Sequence, residues 1–390
     1  MTDAKTRPPL SLYIHIPWCV AKCPYCDFHS LPRRGPLPEA PYVRAVLDDL
    51  AQNQGLLGGR AIASIFLGGG TPSLFSGGAI AEILEGVERR ATLAADCEIT
   101  LEANPGTLDN GRFRAFREAG VTRLSLGVQS LHDPALRALG RIHDARTARA
   151  AMEAAAGAGF RSFNIDLMYG LPGQTVAQAL ADVHGVLSVR PPHLSLYELT
   201  LEAHTAFAHD PPTLPAEDER LAIEDAVTQA ASAAGYERYE VSAYARPGHR
   251  CAHNLNYWQF GDYLGLGAGA HGKLTDASGV SRQVRVADPG RYIADGDRVA
   301  TRRLLPENDV LFEFLLNALR LTEGFSEDLL RSRTGHDFTS LEALWAQPVR
   351  QGLLERERDR MRATALGRRF LDSLLAEFLA NTGAMPARAS

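Results

Sequence analysis

Lysine is nearly missing from this chain of 390 residues. Lys5, Lys22 and Lys273 are the only lysines among 41 basic residues, so arginine carries almost all the positive charge. Against 46 acidic residues this leaves a formal net charge of −5, with a pI of about 6.2. That balance excludes an extended polyanion-binding surface, and no nucleic-acid partner is expected. Long apolar runs are missing too. No stretch approaches the roughly 20 residues that a membrane span needs. Met1 to Leu12 lacks the apolar segment of a secretory signal. Cysteine is scarce and odd in number, five in all, which argues against a disulfide framework. The rest is an ordinary globular mixture, 45% hydrophobic and 22% charged, in a chain long enough to bury its own core. The expected address is the cytoplasm.

Short apolar and β-branched runs occur at Leu12–Ile16, Ser64–Leu67, Glu98–Leu101, Arg123–Leu126, Ser162–Met168 and His193–Leu199. Amphipathic stretches with three- and four-residue spacing separate them. A seventh strand is expected at Glu237–Ala245. Such alternation implies βαβ units and a parallel sheet, an α/β fold. Six or seven units are too few for a closed eight-unit barrel. A partial (β/α)6 barrel is therefore the first expectation, and a doubly wound sheet the second. Residues 1–245 form this expected core. Residues 246–305 are Gly-rich, without a clear period, and read as an irregular connecting region. Residues 306–390 read as a small C-terminal helical or winged-helix-like domain, with a β-wing at Gly352–Thr364.

In either α/β fold, chemistry gathers at the C-terminal ends of the strands. The first of these ends carries Cys19, Cys23 and Cys26 in a C-x3-C-x2-C pattern. Three thiolates so close can hold one soft metal centre. One reading is structural zinc with His15 or His29 as the fourth ligand. The other is a [4Fe–4S] cluster whose fourth iron lacks a protein ligand and can bind something that reacts.

The triplet in a first βα loop resembles the signature of radical S-adenosylmethionine (SAM) enzymes. Further motifs resemble one branch of that superfamily. They are Tyr13-Ile14-His15-Ile16-Pro17-Trp18-Cys19, Gly68-Gly69-Gly70-Thr71-Pro72, Gly127-Val128-Gln129-Ser130, the run from Asn164 to Gln174, and His253-Asn254-Leu255-Asn256-Tyr257-Trp258. The branch holds oxygen-independent coproporphyrinogen III dehydrogenase (HemN) and the heme chaperones (HemW). The resemblance implies a radical SAM barrel with a HemN-like C-terminal domain. It implies an iron–sulfur cluster on the three cysteines, SAM chelated at the free iron, and its cleavage to a 5'-deoxyadenosyl radical by one electron from the reduced cluster.

The resemblance also assigns residues. The SAM amino group and methionine part fall near Gly69, Gly70 and Thr71. Glu102 suits the ribose hydroxyls or the amino group. Gln129, Arg141 and Asp166 match SAM-contacting positions, with the Arg141 guanidinium suited to the SAM carboxylate. Tyr25 packs on the adenine, and Tyr13 also reaches SAM. His253, Asn254 and Tyr257 match the H-N-x-x-Y pattern associated with heme, in which an imidazole is a common axial ligand. Gly265–Ala270 matches a dinucleotide fingerprint but opens no helix, so it reads as a loop on the far side of the SAM pocket.

One position separates the two members of the branch. The dehydrogenase carries a fourth cysteine two residues after the third, and Phe28 stands there in this chain. The reading is therefore a radical-SAM-type heme chaperone with a cluster, SAM and heme as cofactors. It implies heme-requiring respiratory proteins as recipients, an electron donor for the cluster, and at most peripheral membrane contact. The alternatives are coproporphyrinogen III dehydrogenase and a zinc-stabilised binding module.

Overall fold

The computed structural model of the chain describes residues 7–107, 110–294 and 296–384. The outer ends of the first and last expected units, residues 1–6 and 385–390, lie outside the described residues. The fold is α/β. Its main sheet is built on β1 (Leu10–Ile16), β2 (Ile62–Gly69), β3 (Leu93–Ala103), β4 (Arg123–Gln129), β5 (Ser162–Tyr169) and β6 (His193–Glu198). These six strands are parallel and lie side by side in chain order. A doubly wound sheet would reverse direction part-way, so the single winding belongs to the partial-barrel type. Leu10, Leu12, Ile14, Ile16, Ile65, Leu67, Leu124, Leu126 and Ile165 pack into one continuous core. Strands this apolar on both faces are what a parallel sheet covered by helices requires.

The crossover helices are α1 (Glu39–Leu57), α2 (Gly77–Glu88), α3 (Asn110–Glu118), α4 (Ala145–Gly157), α5 (Val176–Leu187) and α6 (Glu217–Ala233). Local chemistry sets several of their starts. The Ser76 hydroxyl accepts from Ala79 N–H, and the Asp144 carboxylate accepts from Thr147 N–H. Thr175 and Gln178 form a reciprocal capping box. α2, α3 and α5 begin within eight residues of a strand end, while longer loops precede α1, α4 and α6. The intervening loops gather at one rim of the sheet, which is where the site forms.

Two expectations need correction. The stretch Glu237–Ala245 is a hairpin, not one strand: β7 (Glu237–Arg238) pairs with β8 (Ala243–Ala245), which runs antiparallel to β6. Residues 246–305 are not irregular. They hold α7 (Ala252–Trp258) and four strands, β9 (Asp262–Leu266), β10 (His271–Asp276), β11 (Gly279–Arg285) and β12 (Val299–Leu304). β9 pairs parallel to β1, and β10 to β12 continue the sheet antiparallel beyond it. Buried charges hide this in the sequence. Asp262 is fully buried and binds Arg60 at 2.6 Å and Lys273 at 3.0 Å. Arg285 is buried against Asp49 at 2.9 Å. Charges inside strands break the apolar alternation that would have marked them.

The C-terminal part has its own core, made by Phe314, Leu315, Phe325, Phe338, Trp345 and Phe378 among others. Its helices include α8 (Glu307–Ala318) and α9 (Leu371–Thr382). The expected wing is a hairpin of β14 (Leu354–Glu357) and β15 (Arg360–Ala363), with the short strand β13 (Phe325–Ser326) added to β15.

Candidate functional site

The cysteine loop leaves β1 at Pro17. Two short segments, Trp18–Cys19 and Leu31–Pro32, pair in parallel and close its base. The Cys26 N–H donates to the Cys23 carbonyl at 3.1 Å, which turns the loop and brings the second and third thiols to one side. The end of β2 is tied to the same loop: Gly70 N–H donates to Ile16 O at 2.9 Å and Thr71 N–H to Trp18 O at 2.8 Å. Glycine is required in this seam. A Cβ on Gly70 would lie 2.6 Å from Trp18 O, and Gly69 has a left-handed φ of 110°.

One pocket at the strand ends is lined by Cys19, Cys23, Tyr25, Cys26, Phe28, Gly69, Gly70, Thr71, Glu102, Gln129, Arg141 and Asp166. These come from five strand ends scattered over about 150 residues of sequence, brought together by the winding. The thiols are unpaired. Thr71 Oγ1 approaches Cys19 Sγ at 3.5 Å and Arg141 Nη1 approaches Cys23 Sγ at 3.5 Å. Burial pushes the Cys19 and Cys26 thiols above their ordinary pKa. They are therefore protonated until a metal centre displaces the protons.

Arg141 is held by the Gly127 carbonyl at 2.7 Å, while its Nε is buried without a partner. A guanidinium with a donor to spare at a pocket wall suits a carboxylate ligand. Glu102 accepts from Gly69 N–H at 3.2 Å. Burial, with the neighbouring Asp166 charge second, pushes its pKa up to about 8. Burial also raises Asp166, opposed by side-chain hydrogen bonds and by Arg123. Gln129 adopts a left-handed φ of 70°, rare for a residue with a side chain, and its Oε1 accepts from Tyr197 Oη at 2.6 Å.

The pocket wall also includes Ser30, Asn104, Ser125 and Tyr197. Sequence reasoning did not single these out. Asn104 and Tyr197 sit at or near a strand's C-terminal end; Ser30 lies in the cysteine loop and Ser125 inside β4, where nothing local marks them. Tyr13 is not in the wall. It lies under Gly68 and donates from Oη to His15 Nδ1 at 3.0 Å. The Gly265–Ala270 segment does not line the pocket either; Gly267 and Gly269 pack behind the cysteine loop, against His15 and His29.

The donor set can be tested against the two metal readings. His15 spends both ring nitrogens, Nδ1 on Tyr13 and Nε2 on the His29 carbonyl at 2.8 Å. His29 Nε2 is engaged by the Ala287 carbonyl at 2.9 Å. Neither imidazole is turned toward the thiols as a fourth zinc ligand. Among the described residues no group of three or more His, Cys, Asp and Glu side chains is arranged to hold a single metal ion. Three thiols opening on a pocket with glycine backbone, two carboxylates and an arginine fit a three-cysteine cluster with a polar ligand at the fourth iron.

The H-N-x-x-Y residues lie elsewhere. His253 is on α7, with 4% exposure. Its Nδ1 meets Ser64 Oγ at 3.2 Å, and its ring lies 4.8 Å from Phe66 and 5.0 Å from Tyr257. Burial pushes its pKa down to about 3. Tyr257 stacks on Tyr263 at 4.2 Å, and Asn254 is half-buried. As folded, the His253 ring is buried and packed among Ser64, Phe66 and Tyr257.

Known proteins resemble this chain over most of its length. The radical SAM superfamily matches residues 13–184 and the HemN C-terminal domain matches residues 305–370. The heme chaperone HemW of Escherichia coli is 46% identical over 374 residues, covering 96% of this chain and 99% of the relative. That of Haemophilus influenzae is 43% identical, covering 95% and 98%. The solved structure of the E. coli coproporphyrinogen III oxidase HemN superposes with a TM-score of 0.81 at 23% identity, over 96% of this chain and 90% of that one.

Proposed function

We propose, for a chain that belongs to the HemW family of radical SAM proteins, that it is a heme chaperone. It carries a [4Fe–4S] cluster, binds SAM and holds heme for transfer to heme-requiring proteins. Cys19, Cys23 and Cys26 hold the cluster. SAM lies across the strand ends, on Gly69, Gly70, Thr71, Glu102, Gln129, Arg141 and Asp166, with Tyr25 beside it. The single observation that carries this is the convergence of those residues on one pocket. When bound, the cluster supplies one-electron chemistry to SAM.

The chain's own residues do the rest. Arg141 fixes a carboxylate, and its Nη1 also lies against the Cys23 sulfur. Glu102 and Asp166 offer acceptors to a cationic ligand. The loop seam at Gly69–Gly70 keeps the thiols in register with these side chains. The Phe28 side chain is 60% exposed, at the pocket mouth, where the dehydrogenase pattern expects a cysteine. This favours chaperone over coproporphyrinogen dehydrogenase.

Recipients among the respiratory hemoproteins, an electron donor for the cluster and a cytoplasmic address complete the reading. No helix among the described residues is long and apolar enough to cross a membrane, and the reading includes peripheral membrane contact. The test is one anaerobic assay on the cluster-loaded, reduced protein. It receives SAM with coproporphyrinogen III in one vessel and heme in another. A heme spectrum without porphyrinogen turnover supports the chaperone; turnover selects the dehydrogenase.

A further inference from the structure

Asp166 lines the cluster pocket and also ends a hydrogen-bond chain that leaves it. Its Oδ1 lies 2.6 Å from Asn164 Nδ2. Asn164 Oδ1 lies 2.6 Å from His193 Nδ1 and also accepts from Ser195 Oγ at 3.1 Å. His193 Nε2 lies 2.8 Å from Tyr239 Oη, which accepts from Cys251 N–H at 3.3 Å. Asn164, His193 and Tyr239 are 2%, 1% and 2% exposed, so these contacts have no water to substitute for them.

The direction of every bond is fixed from both ends. A carboxylate only accepts, so Asn164 turns its amide N–H toward Asp166 and its carbonyl toward His193. That carbonyl requires the ring hydrogen of His193 on Nδ1. His193 is buried beside Arg123, which holds it neutral, so it has one ring hydrogen to give. Nε2 is then an acceptor, and Tyr239 O–H must donate to it. At the far end the backbone N–H of Cys251 is an unconditional donor, which leaves Tyr239 its hydrogen for His193. All four donors point toward Asp166. Aligned donors polarise one another and strengthen the last bond.

The geometry points to Asn164, His193 and Tyr239 as positioning residues: a one-way donor chain that orients Asp166 for SAM and ties the pocket to the start of α7. This rests on the SAM-binding reading of the pocket. The chain does not touch the ligand. Together with Ser125 and Ser195, it fixes which way the Asn164 amide faces. Without Tyr239 O–H, His193 can carry its hydrogen on Nε2. Nδ1 then turns a lone pair toward the Asn164 carbonyl, which repels, and only Ser125 Oγ at 2.8 Å and Ser195 Oγ at 3.1 Å are left to hold the amide that orients Asp166.

The test is SAM affinity of the cluster-loaded protein, with iron content and far-UV spectra confirming each variant is folded. Tyr239→Phe removes one oxygen atom and is expected to weaken SAM about 3- to 10-fold, the range for one buried hydrogen bond. His193→Leu should weaken it at least as much. His193→Asn, whose amide N–H replaces Nδ1–H, should recover most of that loss. Asp166→Asn combined with Tyr239→Phe should cost no more than Asp166→Asn alone. If Asp166→Asn binds SAM like the wild type, the pocket reading itself fails. If Asp166→Asn weakens SAM while Tyr239→Phe does not, or the two losses multiply in the double variant, the positioning chain is refuted and the pocket reading stands. Should His193→Leu not fold, Tyr239→Phe and the double variant still decide.

Discussion

Glu102 makes SAM binding pH-dependent in a direction the structure sets. Its carboxyl is half-buried in the pocket wall, and burial, with the Asp166 charge second, raises its pKa to about 8. At neutral pH the ligand-free group is therefore mostly protonated. SAM brings a sulfonium charge, so the form that binds it best is the carboxylate. Binding below pH 8 must remove a proton, at about 1.4 kcal/mol per pH unit. If only the carboxylate binds, the apparent dissociation constant carries a factor of 1 plus ten raised to the power (8 − pH). Between pH 8 and pH 6 this weakens SAM about 50-fold, and above pH 9 the dependence is flat. The raised pKa has a second consequence. The native state holds a proton that the unfolded chain releases near pH 4.5, so the ligand-free protein loses stability as pH rises from there through 8. SAM binding offsets that loss, and the rise in Tm on adding SAM should grow with pH. The assay is anaerobic SAM titration of cluster-loaded wild type and Glu102→Gln from pH 6 to 9. Glu102→Gln should bind more weakly at pH 9 and lose most of the slope. Other titrations, including the SAM amino group, are common to both proteins and cancel in the comparison. A wild-type profile parallel to that of Glu102→Gln would refute the argument.

Cys19→Ala, Cys23→Ala and Cys26→Ala should each lose cluster iron and SAM binding together; SAM retained at normal affinity by any of them would misplace the site. Arg141→Gln removes a charged partner for a carboxylate, and SAM affinity should fall about 10- to 100-fold, measured by the same titration. Asp262→Ala strips Arg60 and the buried Lys273, which lies over the Phe260 ring 4.1 Å from its centroid, of the carboxylate they share. Urea unfolding should show a loss of about 3–5 kcal/mol. His253→Ala should lower Tm through a cavity between Phe66 and Tyr257, and should leave the heme spectrum unchanged; loss of the heme band in a folded variant would restore His253 as a ligand.

How much of this was legible in the sequence depends on where each kind of information lies. The six parallel strands and their ends were legible, because apolar runs ending in Gly, Pro or Asn report burial and termination locally. The cysteine triplet and the Gly68–Thr71 turn were legible for the same reason: each is one short segment whose chemistry is complete in itself. What failed needed two distant segments at once. Asp262 looks like a surface charge until Arg60, some 200 residues away, and Lys273 are placed beside it. With those partners its strand is an interior one. Tyr197 looks like any strand aromatic until the winding sets its hydroxyl against Gln129. His253 is the sharpest case. Its motif names a residue type that can bind iron, and nothing within the motif says whether the ring is open. In this fold Phe66 and Ser64 on β2, nearly 190 residues earlier, close in around it. A ligand role demands an open coordination face as well as a competent nitrogen, and only packing decides the first. The same logic explains why the chain from Tyr239 to Asp166 left no trace in the sequence. It crosses β5, β6 and the β7–β8 hairpin one hydrogen bond at a time, and no two of its side chains are adjacent in sequence.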